Sequence, residues 1–379
     1  MLLQHLRGVG QKAPDHWVGG VPDIGDWYVG NLSSPIVHLK NEQDEEEKQP
    51  IWNVYGRILG TEQREKKVII GNHRDSWTFG SADPHSGTAV MMELARIFGD
   101  LTSKGWRPLR TIEFMSWDAE EYNLIGSTEY VEQNDDDLRK NALAYINLDT
   151  AVWGDTLYAA GSPVFRKLLL SVLNRVGDPN SNTSLRDLWD KRGAKLEALG
   201  AGSDYVGFQD IVGTSSLDLY FGSKERFPYH SSYENFDWMD RVGDPGFTYH
   251  TLLGQVVGLI LLELADRPIM PFDMAAYADI LPEWVDDLKK WTENKGINQD
   301  GNAPFDLSVL QEASDEVAKS VREFDKWQTT WESSVVASSG WEPTALGMRR
   351  AEYNTRMGLF ETNLLDSAGV SCSRYFLTS

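Results

Sequence analysis

Several segments of the chain place histidine and carboxylate side chains at spacings suited to a hydrolytic metal site. A short apolar run at 68–70 leads into Gly71-Asn-His73-Arg-Asp75-Ser-Trp77, and ten residues beyond His73 stands Asp83-Pro84-His85-Ser-Gly87. The next apolar run ends in Ser116-Trp-Asp-Ala-Glu120-Glu121, another in Asn147-Leu-Asp149, and a later segment carries Tyr229-His230-Ser-Ser-Tyr233-Glu234. Taken alone, His73-x-Asp75 describes a structural or surface histidine more readily than a ligand. Adjacent Glu120 and Glu121 leaving an apolar strand call for a counter-charge, which a bound dication supplies; a solvent-facing pair at a helix N-terminus fits the same pattern. Two histidines and three or four carboxylates, with no cysteine among them, match a hydrolytic zinc site and exclude a structural cysteine-type one. One carboxylate shared between two metals ~3.5–4 Å apart makes a two-metal clamp, and Asp83 is the natural bridge. Asp75, two residues after His73, is placed to fix the imidazole tautomer. Of Glu120 and Glu121, one ligates and the other takes a proton from the attacking water.

Side chains so far apart in sequence need a scaffold that gathers them. Periodicity predicts strands over 54–59, 67–70, 110–117 and 144–148, alternating with helices over 87–98, 127–132 and 165–176. Such alternation implies an α/β fold of three layers, α/β/α, with a mostly parallel central sheet whose strand ends gather the site. A long buried helix is expected over 251–265, then a proline-marked linker over 266–273, then helices near 274–294, 305–334 and 346–365, forming an all-α region. The first fifty residues are rich in Gly and Pro and end in an acidic run at 44–47, which reads as solvated loop between strand-like pieces.

Composition bounds the function. At 379 residues the chain exceeds the ~250–300 at which one core stops growing, so a main domain and a smaller one are expected. A hydrophobic fraction of 41% places it among folded globular proteins, and a net charge of −21 argues against a nucleic-acid partner, which needs a basic surface. The longest apolar stretch, 256–262, falls short of the ~20 residues of a membrane-spanning helix, and residues 1–20 hold no apolar signal core. The single cysteine, Cys372, excludes internal disulfides. Sequons at Asn31 and Asn182 would suit a lumenal protein.

With these segments in view, the chain resembles the zinc exopeptidase family of glutamate carboxypeptidase II and the transferrin receptor, fungal-type and vacuolar-sorting-like homologues included. The resemblance runs through the motifs above and through Gly105-Trp-Arg-Pro-x-Arg110, Gly126-Ser-Thr-Glu129 and Tyr145-Ile-Asn-x-Asp149. It implies two Zn2+ ions, with His73 and Asp149 on one, Glu121 and His230 on the other, Asp83 bridging and Glu120 as general base. Tyr229 matches a tyrosine that steadies the tetrahedral intermediate; a core aromatic is the alternative. Glu129 and Glu132 match calcium-binding glutamates, although their partners in the family come from a preceding domain. The implied layout is a remnant of a protease-associated region and linker at 1–51, a di-zinc peptidase domain at 52–268 and an incomplete helical dimerisation domain at 269–379. The resemblance thus implies a homodimer formed through the C-terminal helices, truncated at both ends, and a setting in the secretory pathway, the vacuole or the cell surface.

The chain departs from the carboxypeptidase where that enzyme carries an arginine patch. The matching stretch is Gly213-Thr-Ser-Ser-Leu-Asp218-Leu-Tyr220, where Asp218 would repel an acidic side chain and attract a basic one or a free amine. The loop Leu199-Gly-Ala-Gly202-Ser203-Asp204 resembles a substrate-lining loop in which Gly202 and Ser203 offer hydrogen bonds; a plain glycine turn is the alternative. The implied activity is that of a metallo-exopeptidase, of carboxypeptidase or aminopeptidase type, acting on a peptide substrate. The rival is a non-catalytic receptor or sorting homologue, or an inactive peptidase. The receptor-type branch has lost metal ligands, whereas all five and the base are present here, which favours the enzyme.

Overall fold

A computed structural model describes residues 2–18, 24–32, 34, 36–44, 46, 48–297 and 306–365. The chain divides into two units, Met1–Pro50 and Ile51–Ser379. In the first, helix α1 (Leu2–Leu6) precedes the two-residue strands β1 (Gln11–Lys12) and β2 (Tyr28–Val29), which pair antiparallel. Asp44 and Glu46 of the acidic run are exposed and lie outside helix and strand, as expected.

The second unit is built on six strands: β3 (Val54–Ile58), β4 (Gln63–His73), β5 (Arg110–Trp117), β6 (Ala142–Asn147), β7 (Thr156–Gly161) and β8 (Ser216–Gly222). Their spatial order is β3-β5-β4-β6-β8-β7; the four inner strands are parallel, and the edge strands β3 and β7 run antiparallel to them. The helices are α2 (His85–Ser103), α3 (Ile125–Gln133), α4 (Asp135–Asn141), α5 (Arg166–Leu173), α6 (Leu185–Lys191), the single turn α7 (Phe236–Trp238), α8 (Thr248–Asp266), α9 (Met274–Asn294), α10 (Ser308–Ala337) and α11 (Thr344–Gly358).

Alternation along β4 explains the layers. Val68 and Ile70 point to one face, where Leu94 of α2, Leu169 of α5 and Leu253 and Val257 of α8 close over them. Ile69 points to the other, packed with Val131 of α3, Leu138 of α4, Tyr145 and Phe208. Covering on both faces is why β4 over 68–70 and β6 over 142–146 read as continuous apolar runs. Among the described residues α8 is the one helix long and apolar enough to cross a membrane; Val256, Val257, Ile260, Leu261 and Leu264 are instead buried in the core.

Three expectations change. β4 continues past residue 70 to His73, so the histidine ends the strand itself and pairs with Trp117 of β5. Of the stretch 213–220 read from sequence for specificity, the part from Ser216 onward lies in the inner strand β8. The segment 266–273 is no free linker: Ile269, Met270 and Phe272 are buried, and the Arg110 guanidinium donates to the carbonyls of Leu264, Arg267 and Pro268. Tyr277, Val321 and Met357 join the same core, and Arg350 pairs with Glu62 and Glu342. The helical region thus packs directly against the sheet layers, within the unit Ile51–Ser379.

Candidate metal centre

Parallel register gathers the candidate ligands. His73 stands opposite Trp117, so the turn carrying Glu120 and Glu121 leaves β5 beside it; Gly71 stands opposite Asn147, so Asp149 emerges on the other side. Asp83 lies just before α2, and His230 lies in the loop after β8. His73 Nε2 is 2.9 Å from Asp149 Oδ1, 3.3 Å from Asp83 Oδ1 and 3.8 Å from Glu120 Oε2. His230 Nε2 is 3.2 Å from Asp83 Oδ2 and 3.2 Å from Glu121 Oε2. The side chains form two metal-capable groups, His73 with Glu120 and Asp149, and His230 with Asp83 and Glu121. Asp83 turns one oxygen toward each histidine.

Backbone contacts hold this geometry. His73 Nδ1 lies 3.0 Å from the carbonyl oxygen of Asp75, so a proton on Nδ1 leaves Nε2 free to face the site. The Asp75 carboxylate, expected to fix the imidazole, lies 3.6 Å from His73 Nδ1 and also accepts the N–H groups of Glu120 and Glu121, at 3.0 and 3.1 Å. Buried Glu234 accepts the N–H groups of Ala82 and Asp83, at 3.1 and 2.6 Å. Asn72 donates to the carbonyls of Pro84 and Leu148, tying the strand end to both neighbouring loops. Ala119 and His230 adopt left-handed backbone angles, φ 56° and 54°, which non-glycine residues seldom take. Such strain clusters at functional sites.

Not every expected residue falls in the centre. Tyr229 is 58% exposed and stacks on the His230 ring with centroids 3.6 Å apart, which removes the core-aromatic alternative. Ser203 and Gly202, expected to face substrate, are already engaged: Ser203 Oγ donates to Asp149 Oδ2 at 2.6 Å, and the Gly202 N–H donates to Tyr205 Oη. Asp218, expected to select the substrate side chain, accepts a hydrogen bond from Asn147 at 3.0 Å. Glu129 and Glu132 are exposed on α3 and join neither metal-capable group. Glu234, Asn72 and Asn147 were written inside the recognisable motifs, yet only their long-range partners disclose what they hold.

Burial and mutual repulsion dominate the electrostatics of the clustered carboxylates. Burial, then the charges of Asp149, Asp204 and Glu121, outweigh the attraction of His73 and push Glu120 up to about 9. Burial and then Asp83 push Glu121 up to about 7. Burial opposes a charge on His73, but Asp149, Asp75 and Asp83 raise its pKa well above the usual histidine range. Glu121 Oε1 and Asp204 Oδ2 are buried without a hydrogen-bond partner. Unpartnered buried carboxylate oxygen beside imidazole nitrogen, with no sulfur, is a donor set that fits zinc.

A pH test follows. A carboxyl whose folded pKa is raised stabilises the fold in its neutral form, fully below the unfolded value of ~4.3, and loses that contribution as pH rises through the folded value. For Glu121 and Glu120 those folded values are about 7 and about 9. The metal-free chain is therefore expected to lose thermal stability between pH 5 and 9 by roughly several degrees, and zinc to restore more of it at the alkaline end. Thermal melts with chelator or zinc at each pH check this; a zinc effect that shrinks as pH rises would contradict it.

Residues 53–243, half of the chain, match the profile of peptidase family M28, and residues 305–377 match the transferrin receptor-like dimerisation domain. A probable glutamate carboxypeptidase of Zea mays is 36% identical over 379 residues, covering 98% of this chain and 50% of that one. The aminopeptidase NAALADL1 of Mus musculus is 36% identical over 312 residues, covering 75% of this chain and 41% of that one. Among solved structures, a zinc aminopeptidase from Bacillus subtilis aligns with 23% identity and a TM-score of 0.43, over 57% of this chain and 50% of that one. The chain thus spans about half the length, or less, of the curated relatives it matches. The matched region contains both metal-capable groups, and the chain belongs to peptidase family M28.

Proposed function

We propose that the chain is a metallo-exopeptidase that hydrolyses a terminal peptide bond at a pair of zinc ions. The observation that carries this reading is Asp83, whose two carboxylate oxygens lie 3.3 and 3.2 Å from His73 Nε2 and His230 Nε2. His73 and Asp149 would hold one ion, Glu121 and His230 the other, and Asp83 both. When bound, the ions lower the pKa of water toward neutrality and polarise the scissile carbonyl.

The remaining chemistry falls to the chain. Glu120, at the edge of the first group, accepts a proton from the attacking water and returns it to the leaving amine. Asp75 serves this step by holding the N–H groups of both glutamates, so that adjacent side chains face different groups. Burial and then the nearby Asp83 and Glu121 charges push the Tyr229 phenol up to about 12, so at neutral pH it keeps its proton and donates to the developing oxyanion. Exposed Trp77 and Tyr122, with ring centroids 5.3 Å apart, offer apolar surface beside His230 for a substrate side chain.

Zinc titration of the metal-free chain is expected to saturate at two ions and to switch on hydrolysis within a panel of dipeptides, with chelation switching it off. A chain that binds no zinc at neutral pH sinks the reading; one that binds two ions and cleaves nothing favours a non-catalytic member of the family.

The same reading includes a homodimer through the C-terminal helices. Support comes from the match over 305–377 and from Val309, Val336, Trp341 and Met348, all exposed in the helical region. Sedimentation at micromolar concentration is expected to give twice the chain mass, and a monomer across the accessible range would refute it.

A further inference from the structure

Beneath the metal centre runs a chain of hydrogen bonds whose direction is dictated by its first member. An indole N–H can only donate, and Trp117 Nε1 donates to Tyr145 Oη at 2.9 Å. The phenol turns its own hydrogen to Asn147 Oδ1, 3.1 Å away. That orients the amide, so Asn147 Nδ2 donates to Ser203 Oγ and to Asp218 Oδ1, each at 3.0 Å. Ser203, having accepted, donates to Asp149 Oδ2 at 2.6 Å, while Asp149 Oδ1 lies 2.9 Å from His73 Nε2. Trp117, Tyr145, Asn147 and Ser203 are each no more than 4% exposed, so water does not compete for these bonds.

Two further observations show that the path is built. A Cβ at position 71 would lie 2.2 Å from Tyr145 Oη and 2.5 Å from Trp117 Nε1, so the glycine two residues before His73 leaves room for the first link. Phe208 stacks on the Tyr145 ring with centroids 4.0 Å apart and holds the phenol in line.

We propose that this directional chain is a positioning device for one metal: Ser203 pins Asp149 Oδ2 so that only Oδ1 is presented beside His73, which makes Ser203 and Tyr145 determinants of zinc retention at that position alone. The proposal rests on the metal reading above. A carboxylate held at one oxygen cannot rotate or close bidentately, and hydrogen bonds in series polarise one another in a buried setting. Losing such outer support typically costs ~10–100-fold in metal affinity. None of the hydrogen bonds in this path reaches Asp83, Glu121 or His230.

The test is zinc titration against a chromophoric chelator for wild type, Ser203→Ala, Ser203→Thr, Tyr145→Phe and the Ser203→Ala/Tyr145→Phe double variant. Ser203→Ala is expected to weaken one of two sites ~10–100-fold and leave the other unchanged, with Ser203→Thr restoring it. Tyr145→Phe should weaken the same site by a smaller factor and add nothing to Ser203→Ala, because both act through Asp149. Wild-type affinity at both sites in Ser203→Ala, equal weakening of both, failure of Thr to rescue, or losses that multiply would each overturn the proposal. Absence of zinc in the wild type would overturn the metal reading itself, a result distinct from any of these.

Discussion

Glu120→Gln is expected to lower the turnover of any dipeptide the chain cleaves by ~10²–10⁴-fold while both zinc sites fill as in the wild type. Glutamine keeps the shape and the hydrogen-bonding reach of glutamate but cannot accept the water's proton. Glu120 is the more distant member of its group: its Oε2 stands 3.8 Å from His73 Nε2, where Asp149 Oδ1 stands at 2.9 Å, whereas Glu121 Oε2 is 3.2 Å from His230 Nε2. Glu121→Gln should therefore lose zinc before it loses chemistry. The left-handed turn at Ala119 and the paired N–H bonds to Asp75 send the two adjacent side chains to different groups. Turnover at the wild-type rate in Glu120→Gln, with two zinc ions bound, would rule out the proton-transfer role.

Asp83→Asn is expected to strip zinc more thoroughly than any other single change of a carboxylate in the centre. Each Asp83 oxygen faces a different histidine, so the side chain serves both groups at once. An amide can turn its oxygen to only one of them, and its NH2 then meets the other cation with the wrong polarity. Glu234, which accepts the Asp83 N–H at 2.6 Å, keeps the loop in place, so the loss stems from ligand chemistry and not from collapse of the turn. The affinity of at least one site should fall beyond the ~10–100-fold typical of a lost supporting bond, and the two sites should no longer fill together. Equilibrium dialysis with metal analysis checks this, and two tightly held ions in Asp83→Asn would remove Asp83 from the bridge.

Much of the scaffold was legible because its signals are local. The apolar run at 68–70 announces a buried strand, and β4, β5 and β6 lie where periodicity put them, with α2, α5 and α8 between or after them. The extension of β4 to His73 was not legible, since Asn72 and His73 are polar and look like loop until Trp117 pairs with them. Strand β8 is not legible for a similar reason: Ser215, Ser216 and Asp218 interrupt the apolar pattern, and the burial of both serines and the bond from Asn147 to half-buried Asp218 appear only when the neighbouring strands cover them. A Gly-Ser loop near a site has no local mark distinguishing a substrate contact from a bond to a carboxylate 54 residues away, so the role of Ser203 is not legible in the sequence.

The donor types of His73, Asp83, Glu120, Glu121, Asp149 and His230, and the places of Glu120, Glu121 and Asp149 just past strand ends, were determined by the sequence alone, because donor chemistry and strand periodicity are properties of short segments. Tertiary structure decided which of these residues stand together. The sheet order β3-β5-β4-β6-β8-β7 is not the chain order; parallel register brings Asp149 beside His73, and the loops before α2 and after β8 set Asp83 between two histidines. It also decided that Asp75 holds the glutamate backbone, that Glu234 holds Asp83, that Ser203 bonds the candidate ligand Asp149 and that Asp218 bonds Asn147. Hydrogen-bond partners spanning 45 to 151 residues leave no periodic trace, so only the folded chain discloses them.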